Sequence, residues 1–373
     1  MNIREKRIFT ILMVIIGCLI ASSSFGARWP RRSSAIIGAA ASFGDPLRED
    51  PVVITVAANN LLTNALSSRM TNIKNRSAEL FVHAIYGHNT IVGGYKNNMG
   101  GLVLGFDNVW AFANEKYFHL GTAFGYVHGK TTPSSEAFTE IQNDFRVFCI
   151  DPRQFDINFG HDAYAIRMFG AYESFNDKCL KTNIGVILGY NHSKDRYQVG
   201  NLNIPELKTV GGRLASHSAF LEVEFIKNLY ACKGYQFGLW LKANYIHIFQ
   251  HTFMVYGFHG GSRRSMLIDK TNHDFLATVV GLNIEKEFKH VNRTLVLFLK
   301  TGWECRVIQR TFITIIPTSA NSKGEFPIRN AAIISFGASQ KLGEHWGIGG
   351  SYSAELSKDF LAHSLSGGIE YAF

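Results

Sequence analysis

Beyond its first two dozen residues this sequence has no long apolar run, although 46% of it is hydrophobic. A membrane-spanning helix needs roughly 20 consecutive apolar residues, so a helical membrane protein is excluded. Proline is scarce at 8 residues, while glycine (35) and phenylalanine (29) are plentiful. That balance suits many strands with aromatic outer faces and points to an all-β class. There is no run of five or more Lys/Arg, no zinc-ligand spacing and no aromatic RNA-binding motif. The net charge of +9 is therefore dispersed, and nucleic acid is not expected as a partner. No Gly-x-Ser-x-Gly elbow, no HExxH and no His-x-Ser pair on one strand occurs. The expectation is a protein that is not an enzyme, with no catalytic residues, no metal and no cofactor. Cysteines are few: Cys18 near the start, then Cys149, Cys179, Cys232 and Cys305 without a CxxC. Disulfides and free thiols are equally compatible with that spacing.

What is present begins with a three-part leader. Arg4, Lys6 and Arg7 precede an apolar run from Ile8 to Ile20, and small or polar residues follow from Ala21 to Ala27. This layout predicts a signal peptide over 1–26, cut after Gly26 with Ser24 and Gly26 as the small residues. Ile15-Ile16-Gly17-Cys18 resembles a lipoprotein box, but the apolar run continues through Leu19 and Ile20, which favours cleavage. Removing the leader leaves +7, a balance suited to phosphorylated lipid at a membrane surface. Residues 27–50 lack periodicity and form a linker or vestigial passenger. Within 51–75, Leu61, Leu62, Ala65, Leu66, Met70 and Ile73 recur at three- and four-residue intervals. Asn59, Asn60, Asn64, Ser67, Ser68, Arg69 and Lys74 fill the other positions. This is one helix of about 20 residues, and its amide-rich side suits a polar barrel lumen.

From Glu79 the period changes to two. Leu361, Leu365, Ile369, Tyr371 and Phe373 share one side of the last segment, with Ala362, Ser364, Ser366, Gly368, Glu370 and Ala372 on the other. Apolar outside and small or polar inside is the pattern of a lipid-facing strand around a wet interior. About twelve such segments follow one another, at 79–88, 100–111, 117–131, 163–175, 180–195, 216–227, 235–250, 273–286, 293–308, 329–341, 346–356 and 361–373. After the third, the connections alternate long and short, as they do in outer-membrane barrels. A soluble β-sandwich has no reason to alternate them. The fold class is thus an all-β transmembrane antiparallel barrel over 76–373, with the helix in its lumen and Tyr371 and Phe373 as the outer-membrane insertion signal.

These residues resemble the autotransporter β-domain family from Val52 to Phe373. Gly100-Gly101-Leu102-Val103-Leu104-Gly105-Phe106-Asp107 is similar to the family's second strand, Leu120 to Tyr126 to its third, and Phe169-Gly170-Ala171-Tyr172 to its fourth. The tail from Gly337 through Leu342, Trp346, Gly350-Ser351-Tyr352 and Glu370-Tyr371-Ala372-Phe373 completes the match. The resemblance implies a twelve-stranded barrel in a Gram-negative outer membrane that delivers an N-terminal passenger to the surface. Only about 25 residues lie between Ala27 and Pro51, which departs from the family. The readings left open are a translocator without cargo, one that exports a short peptide, and a structural, adhesive or narrow-pore barrel with loop-bound partners.

Three residue groups qualify as candidate sites. Asn59-Asn60 resembles the asparagine pair at which some autotransporters cut themselves, with Asp107 or Glu224 as the polarising carboxylate; hydrogen bonding of an amide-rich face to the barrel wall is the favoured role. His88, His128, His161, His192, His217, His247, His251 and His273 gather near outer strand ends, where imidazoles suit a polar-apolar boundary better than they argue for metal or haem. Arg196, Lys208, Arg213, Arg263, Arg264, Lys270, Arg310 and Lys323 fall in outer loops, and Arg263 and Arg264 are the candidate anionic-lipid contacts. Expected partners are outer-membrane lipid and lipopolysaccharide, the barrel-assembly machinery and host surface molecules.

Overall fold

The computed structural model describes residues 44–70, 76–91, 95–133, 155–176, 180–201, 210–232, 234–259, 262–268, 270–290, 293–316, 320–324, 330–358 and 360–373. The leader, most of the linker, Lys74, Cys149, Cys179 and Lys208 lie outside these residues, as do the side chains of Arg263, Arg264, Arg310 and Lys323.

One helix, α1 (Gly44–Ser67), precedes fifteen strands: β1 (Glu79–Ile91), β2 (Tyr95–Phe112), β3 (Lys116–Pro133), β4 (Phe155–Phe175), β5 (Lys181–Asn201), β6 (Val210–Cys232), β7 (Tyr235–Gln250), β8 (Phe253–His259), β9 (Ser262–Ile268), β10 (Thr271–His290), β11 (Arg293–Ile316), β12 (Ala320–Gly324), β13 (Asn330–Leu342), β14 (Trp346–Leu356) and β15 (Phe360–Ala372). Twelve of them form the wall of a closed antiparallel barrel, in chain order with β8, β9 and β12 set aside. Closure is made by β1 against β15, from Glu79 opposite Ala372 to Ile91 opposite Phe360. The Phe373 amide adds a hydrogen bond to the Ala78 carbonyl at 3.1 Å. No strand of the wall is left with an unpaired edge.

Alternation decides which side chains face in. On β1, Leu80, Val82 and Tyr86 are exposed while Phe81, His83 and Ile85 are buried. On β15, Leu361, Leu365 and Ile369 are exposed while Ser366 and Glu370 are buried. Exposed apolar side chains form a band, bounded at the short-turn end by aromatics such as Trp110, Phe112, Tyr235 and Trp346. Such a band flanked by aromatic girdles is the exterior of an outer-membrane barrel. The short turns are tight: Gly234 (φ 79°) and Gly343 (φ 74°) supply the left-handed backbone there. Both β1 and β15 have their chain-end residues, Glu79 and Ala372, at this same end.

Two differences from the sequence reading concern extent. The helix begins at Gly44 rather than near 51, because Pro46 falls in the first turn, where a missing N–H is no loss and the fixed φ is helical. Its last helical residue is Ser67, so among the described residues the helix stops short of 75. Strands β4, β5, β6 and β11 run past the segments expected for them. A lipid-facing alternation ends where polar residues reach the outer face, but backbone pairing continues above it. The connection read as a loop over 251–272 contains the β8–β9 hairpin, which also meets β6 and β11.

Candidate functional site

Helix α1 fills the lumen asymmetrically. Its buried Ile54, Ala58, Leu61, Leu62, Ala65 and Leu66, with Met70 just past its end, join one apolar cluster with inward residues mostly of β1 to β5, among them Phe81, Ile85, Met99, Val127, Ala163 and Phe169. The wall is hollowed for the helix. A Cβ on Gly125 would lie 2.4 Å from a Leu62 methyl, so a larger residue there would have to displace that leucine from its place.

The amides of the helix reach the wall in two directions. Asn59 is buried and fully engaged: its Nδ2 donates to the Thr55 carbonyl at 2.9 Å and to Ser218 Oγ at 3.3 Å. Its Oδ1 accepts from Arg167 Nη2 at 2.7 Å and from Asn191 Nδ2 at 2.6 Å. Arg167 is itself buried on β4, and a Cβ at Gly189 would lie 2.3 Å from its Nη1. Asn60 turns the other way, donating to Glu355 Oε1 at 3.3 Å and accepting from Asn244 Nδ2 at 3.4 Å. Asn64 donates to Ser364 Oγ at 2.9 Å and Ser67 to Glu222 Oε1 at 3.3 Å.

Neither carboxylate proposed for the asparagine pair partners it. Asp107 accepts from Arg69 Nε at 2.7 Å and lies 3.2 Å from His119 Nε2. Glu224 accepts from Trp240 Nε1 at 2.7 Å and from Lys300 Nζ at 2.5 Å. The geometry instead gives Asn59 three hydrogen bonds that tie helix to wall and one within the helix.

At the foot of the helix, Arg69 is buried among three carboxylates from three strands: Glu79 of β1, Asp107 of β2 and Glu370 of β15, each at 2.7 Å. Arg76 adds contacts to Glu79 at 3.0 Å and Glu370 at 3.1 Å. The guanidinium of Arg69 also lies over the Phe81 ring at 3.9 Å. This cluster straddles the closing seam, so one residue following the helix fixes both the plug and the strand pair that closes the barrel.

Elsewhere in the lumen, inward charges cancel in pairs. Lys242 meets Glu222 at 2.6 Å, Lys300 meets Glu224, Lys181 meets Glu285, and Arg306 meets Glu304 at 2.8 Å and Glu355 at 3.4 Å. A polar cleft runs between Glu224, Lys242, Lys300, Glu304 and Glu355 of the wall and Asn60, Asn64 and Ser67 of the helix.

A family model described as Autotransporter beta-domain matches residues 80–353. The chain belongs to the autotransporter β-domain family. As an autotransporter β-domain its fold is similar to the translocator domain of NalP from Neisseria meningitidis, at 14% identity and TM-score 0.64, covering 87% of this chain and 98% of that one. It is also similar to the β-domain of the Bordetella autotransporter BrkA, at 12% identity and TM-score 0.53, covering 80% of this chain and 100% of that one. The transport unit of AIDA-I from Escherichia coli is similar at 13% identity and TM-score 0.52, covering 85% and 97%. No curated protein matches the sequence significantly. The fold implies the outer membrane of a Gram-negative bacterium.

The structure divides the histidines of this β-domain. His161 is turned inward and hydrogen-bonded to Asp195 at 2.6 Å, and His273 is buried beside Gln250 at 3.2 Å. His88, His128, His192, His217 and His247 lie on the outer face. Among the described residues no group of three or more His, Cys, Asp or Glu is arranged to hold a metal ion. Counting histidines singly overlooks a pattern the sequence does carry: Tyr-x-His occurs at 86–88, 117–119, 126–128, 190–192 and 245–247. Of the cysteines, Cys232 is exposed and Cys305 is buried. Arg196 and Arg213, read as loop residues, are exposed on strands β5 and β6, whose pairing runs past the apolar band, and Lys270 is exposed just before β10.

Proposed function

We propose that this chain inserts in the outer membrane as an autotransporter translocator and delivers the segment N-terminal to its own helix to the cell surface. The observation that carries this reading is the direction of α1. Arg69, at its foot, meets Glu79, Asp107 and Glu370 at the short-turn end of the barrel. Val56 and Ala57 line the same cavity as Phe360 and Ala362, beside the opposite connection at 357–359. Short turns belong to the periplasmic side, so the helix points its N-terminus outward. The lumen acts by conduction and closure rather than by chemistry: a peptide passes, and the amide-and-leucine helix then occupies the path. Export through a signal peptide over 1–26 places the chain in the periplasm, where the barrel-assembly machinery reads Tyr371 and the exposed Phe373. Outer-leaflet lipopolysaccharide is the surrounding partner, contacted from the loops by Arg263 and Arg264, and host surface molecules meet the same loops.

The test is protease and antibody access, on intact cells, to a short tag placed between Arg32 and Ser33. A tag reached on intact cells is the expected result. A tag reached only after the outer membrane is broken overturns translocation and leaves a plugged surface barrel whose loops carry its function.

A further inference from the structure

Four of the five Tyr-x-His elements sit on β1, β3, β5 and β7 with both side chains on the outer face, while that at 117–119 turns His119 inward to Asp107. Three carry the same cross-strand device. Tyr86 and His88 both bond Asn98 Oδ1, at 3.3 and 2.6 Å. Tyr126 and His128 bond Asp162 Oδ1 at 2.8 and 2.9 Å, and Tyr245 and His247 bond Asp274 Oδ1 at 2.7 and 2.8 Å. On β5, Tyr190 bonds His217 of β6 instead.

Their placement in the sheet is regular. The register row from Tyr86 passes through Gly100 to His128, the row from Tyr126 passes through Tyr164 to His192, and the row from Tyr190 passes through Ala219 to His247. Each element is therefore displaced by two residues every second strand. Barrel strands tilt against the axis, so register rows climb around the wall. A constant displacement of this kind holds the four elements at one height, and amphipathic rings at one height mark the boundary between hydrocarbon and headgroups.

A second tier follows two residues higher. Tyr126-Val127-His128-Gly129-Lys130 and Tyr190-Asn191-His192-Ser193-Lys194 share the spacing Tyr-x-His-x-Lys. On the first hairpin the equivalent position is Thr90, and the residue directly opposite it is Lys96. All three lysines are exposed on the outer face. Above Lys194, Arg196 directly opposes Arg213 across the β5–β6 pair, and Lys130 lies in that same row beyond Gly160. A directly opposed like-charged pair is unfavourable unless an anion lies between. The nearby outward carboxylate, Asp162, is held by Tyr126 and His128, while Asp195 faces inward to His161. On β14 the residue four beyond Tyr352 is the apolar Leu356, so the cationic tier belongs to the β1–β6 side.

We infer that Lys96, Lys130 and Lys194, with Arg196 and Arg213 above them, form a wall site for the phosphates of an outer-leaflet glycolipid, seated by the Tyr-x-His girdle beneath. Long lysine stems lie along the wall and present the ammonium at headgroup height, and arginine clamps phosphate bidentately. This rests on the proposed insertion with long loops outward, and it moves the principal phosphate contact from the loops to the barrel wall.

The full chain, folded in zwitterionic detergent, is mixed with diphosphorylated lipid A, with its dephosphorylated form, or with phosphatidylglycerol, and retained lipid is read by native mass spectrometry. Wild type is expected to hold diphosphorylated lipid A at least about tenfold more tightly than K96Q/K130Q/K194Q does. It should also hold it more tightly than either other lipid. K286Q/K289Q, altered at the opposite end, should bind as wild type, and heat-modifiable migration checks that each variant is folded. Equal binding by the triple variant, or by the dephosphorylated lipid, overturns the site; equal retention of phosphatidylglycerol overturns its assignment to glycolipid. Unchanged lipid binding with a surface-exposed tag would overturn this inference alone, whereas a periplasmic tag would overturn translocation and leave the wall site to stand or fall on lipid binding.

Discussion

The two walls of the lumen are built on the same strand period and behave oppositely. On β1 to β5 inward Phe, Ile, Val, Met, Ala and Gly pack the leucines of α1, with Arg167 and Asn191 set among them. From β6 to β11 the wall adds Lys–Glu pairs beside a polar cleft, although Phe220, Ile246, Ile248 and Phe275 of these strands still join the apolar cluster. The apolar wall holds the helix by shape, and its grip depends on close packing. The charged wall holds itself, since each cation already has its carboxylate. A plug docked on one wall and hydrated along the other can be seated and still leave a polar path beside it.

The largest break in this arrangement is Arg69→Met. It leaves Glu79, Asp107 and Glu370 gathered at the seam with Arg76 alone, and removing one partner of a buried ionic cluster costs about 3–5 kcal/mol. The denaturant midpoint of the heat-modifiable folded band should fall accordingly, and restoring charge balance with Asp107→Asn should recover part of it. No loss would mean that the seam closes without the helix foot. Next comes Leu62→Ala, which empties the notch at Gly125 and should cost about 2–5 kcal/mol. The complementary Gly125→Val should drive the helix off the wall and raise single-channel conductance in planar bilayers; unchanged conductance would place the seal elsewhere.

Asn59→Ala sharpens the comparison at the point where amides join the apolar wall. Arg167 and Asn191 lose their shared acceptor, for about 1–3 kcal/mol, while Asn60→Ala, at a half-buried position, should cost less. Intact mass of the purified barrel is expected to retain the helix in wild type and in both variants. A wild-type fragment beginning at Asn60 or Leu61, lost in Asn59→Ala, would reassign the pair to self-cleavage.

Much of this was legible in the sequence, for a physical reason. Alternation such as Leu361 to Phe373 reports which side meets lipid, and the terminal strand faces as it reads, with Leu365 exposed and Ser366 buried. The leucine spacing of α1 likewise marks its buried side. Partners across the lumen were not legible: Asn59 meets Arg167 and Asn191 only because β4 and β5 are set in register around the helix, and no local pattern encodes that register. The β8–β9 hairpin was hidden because it pairs outside the apolar band, where alternation no longer reports burial between lipid and lumen. Tyr-x-His was visible throughout, and it acquires meaning only when the register shows four copies stepping around the wall.

The smallest effect belongs to the charged wall. Lys242→Met alone should be costly, because Glu222 is buried and keeps only its Ser67 contact. Removing both partners at once, with Glu222→Gln and Lys242→Met, leaves no unpaired charge, and such paired replacements are commonly close to neutral. The double variant is therefore expected within about 1 kcal/mol of wild type in the same denaturant assay. A double variant as unstable as the single one would show that this wall is coupled to the helix through Ser67, and the contrast between a docking wall and a self-contained one would then fail.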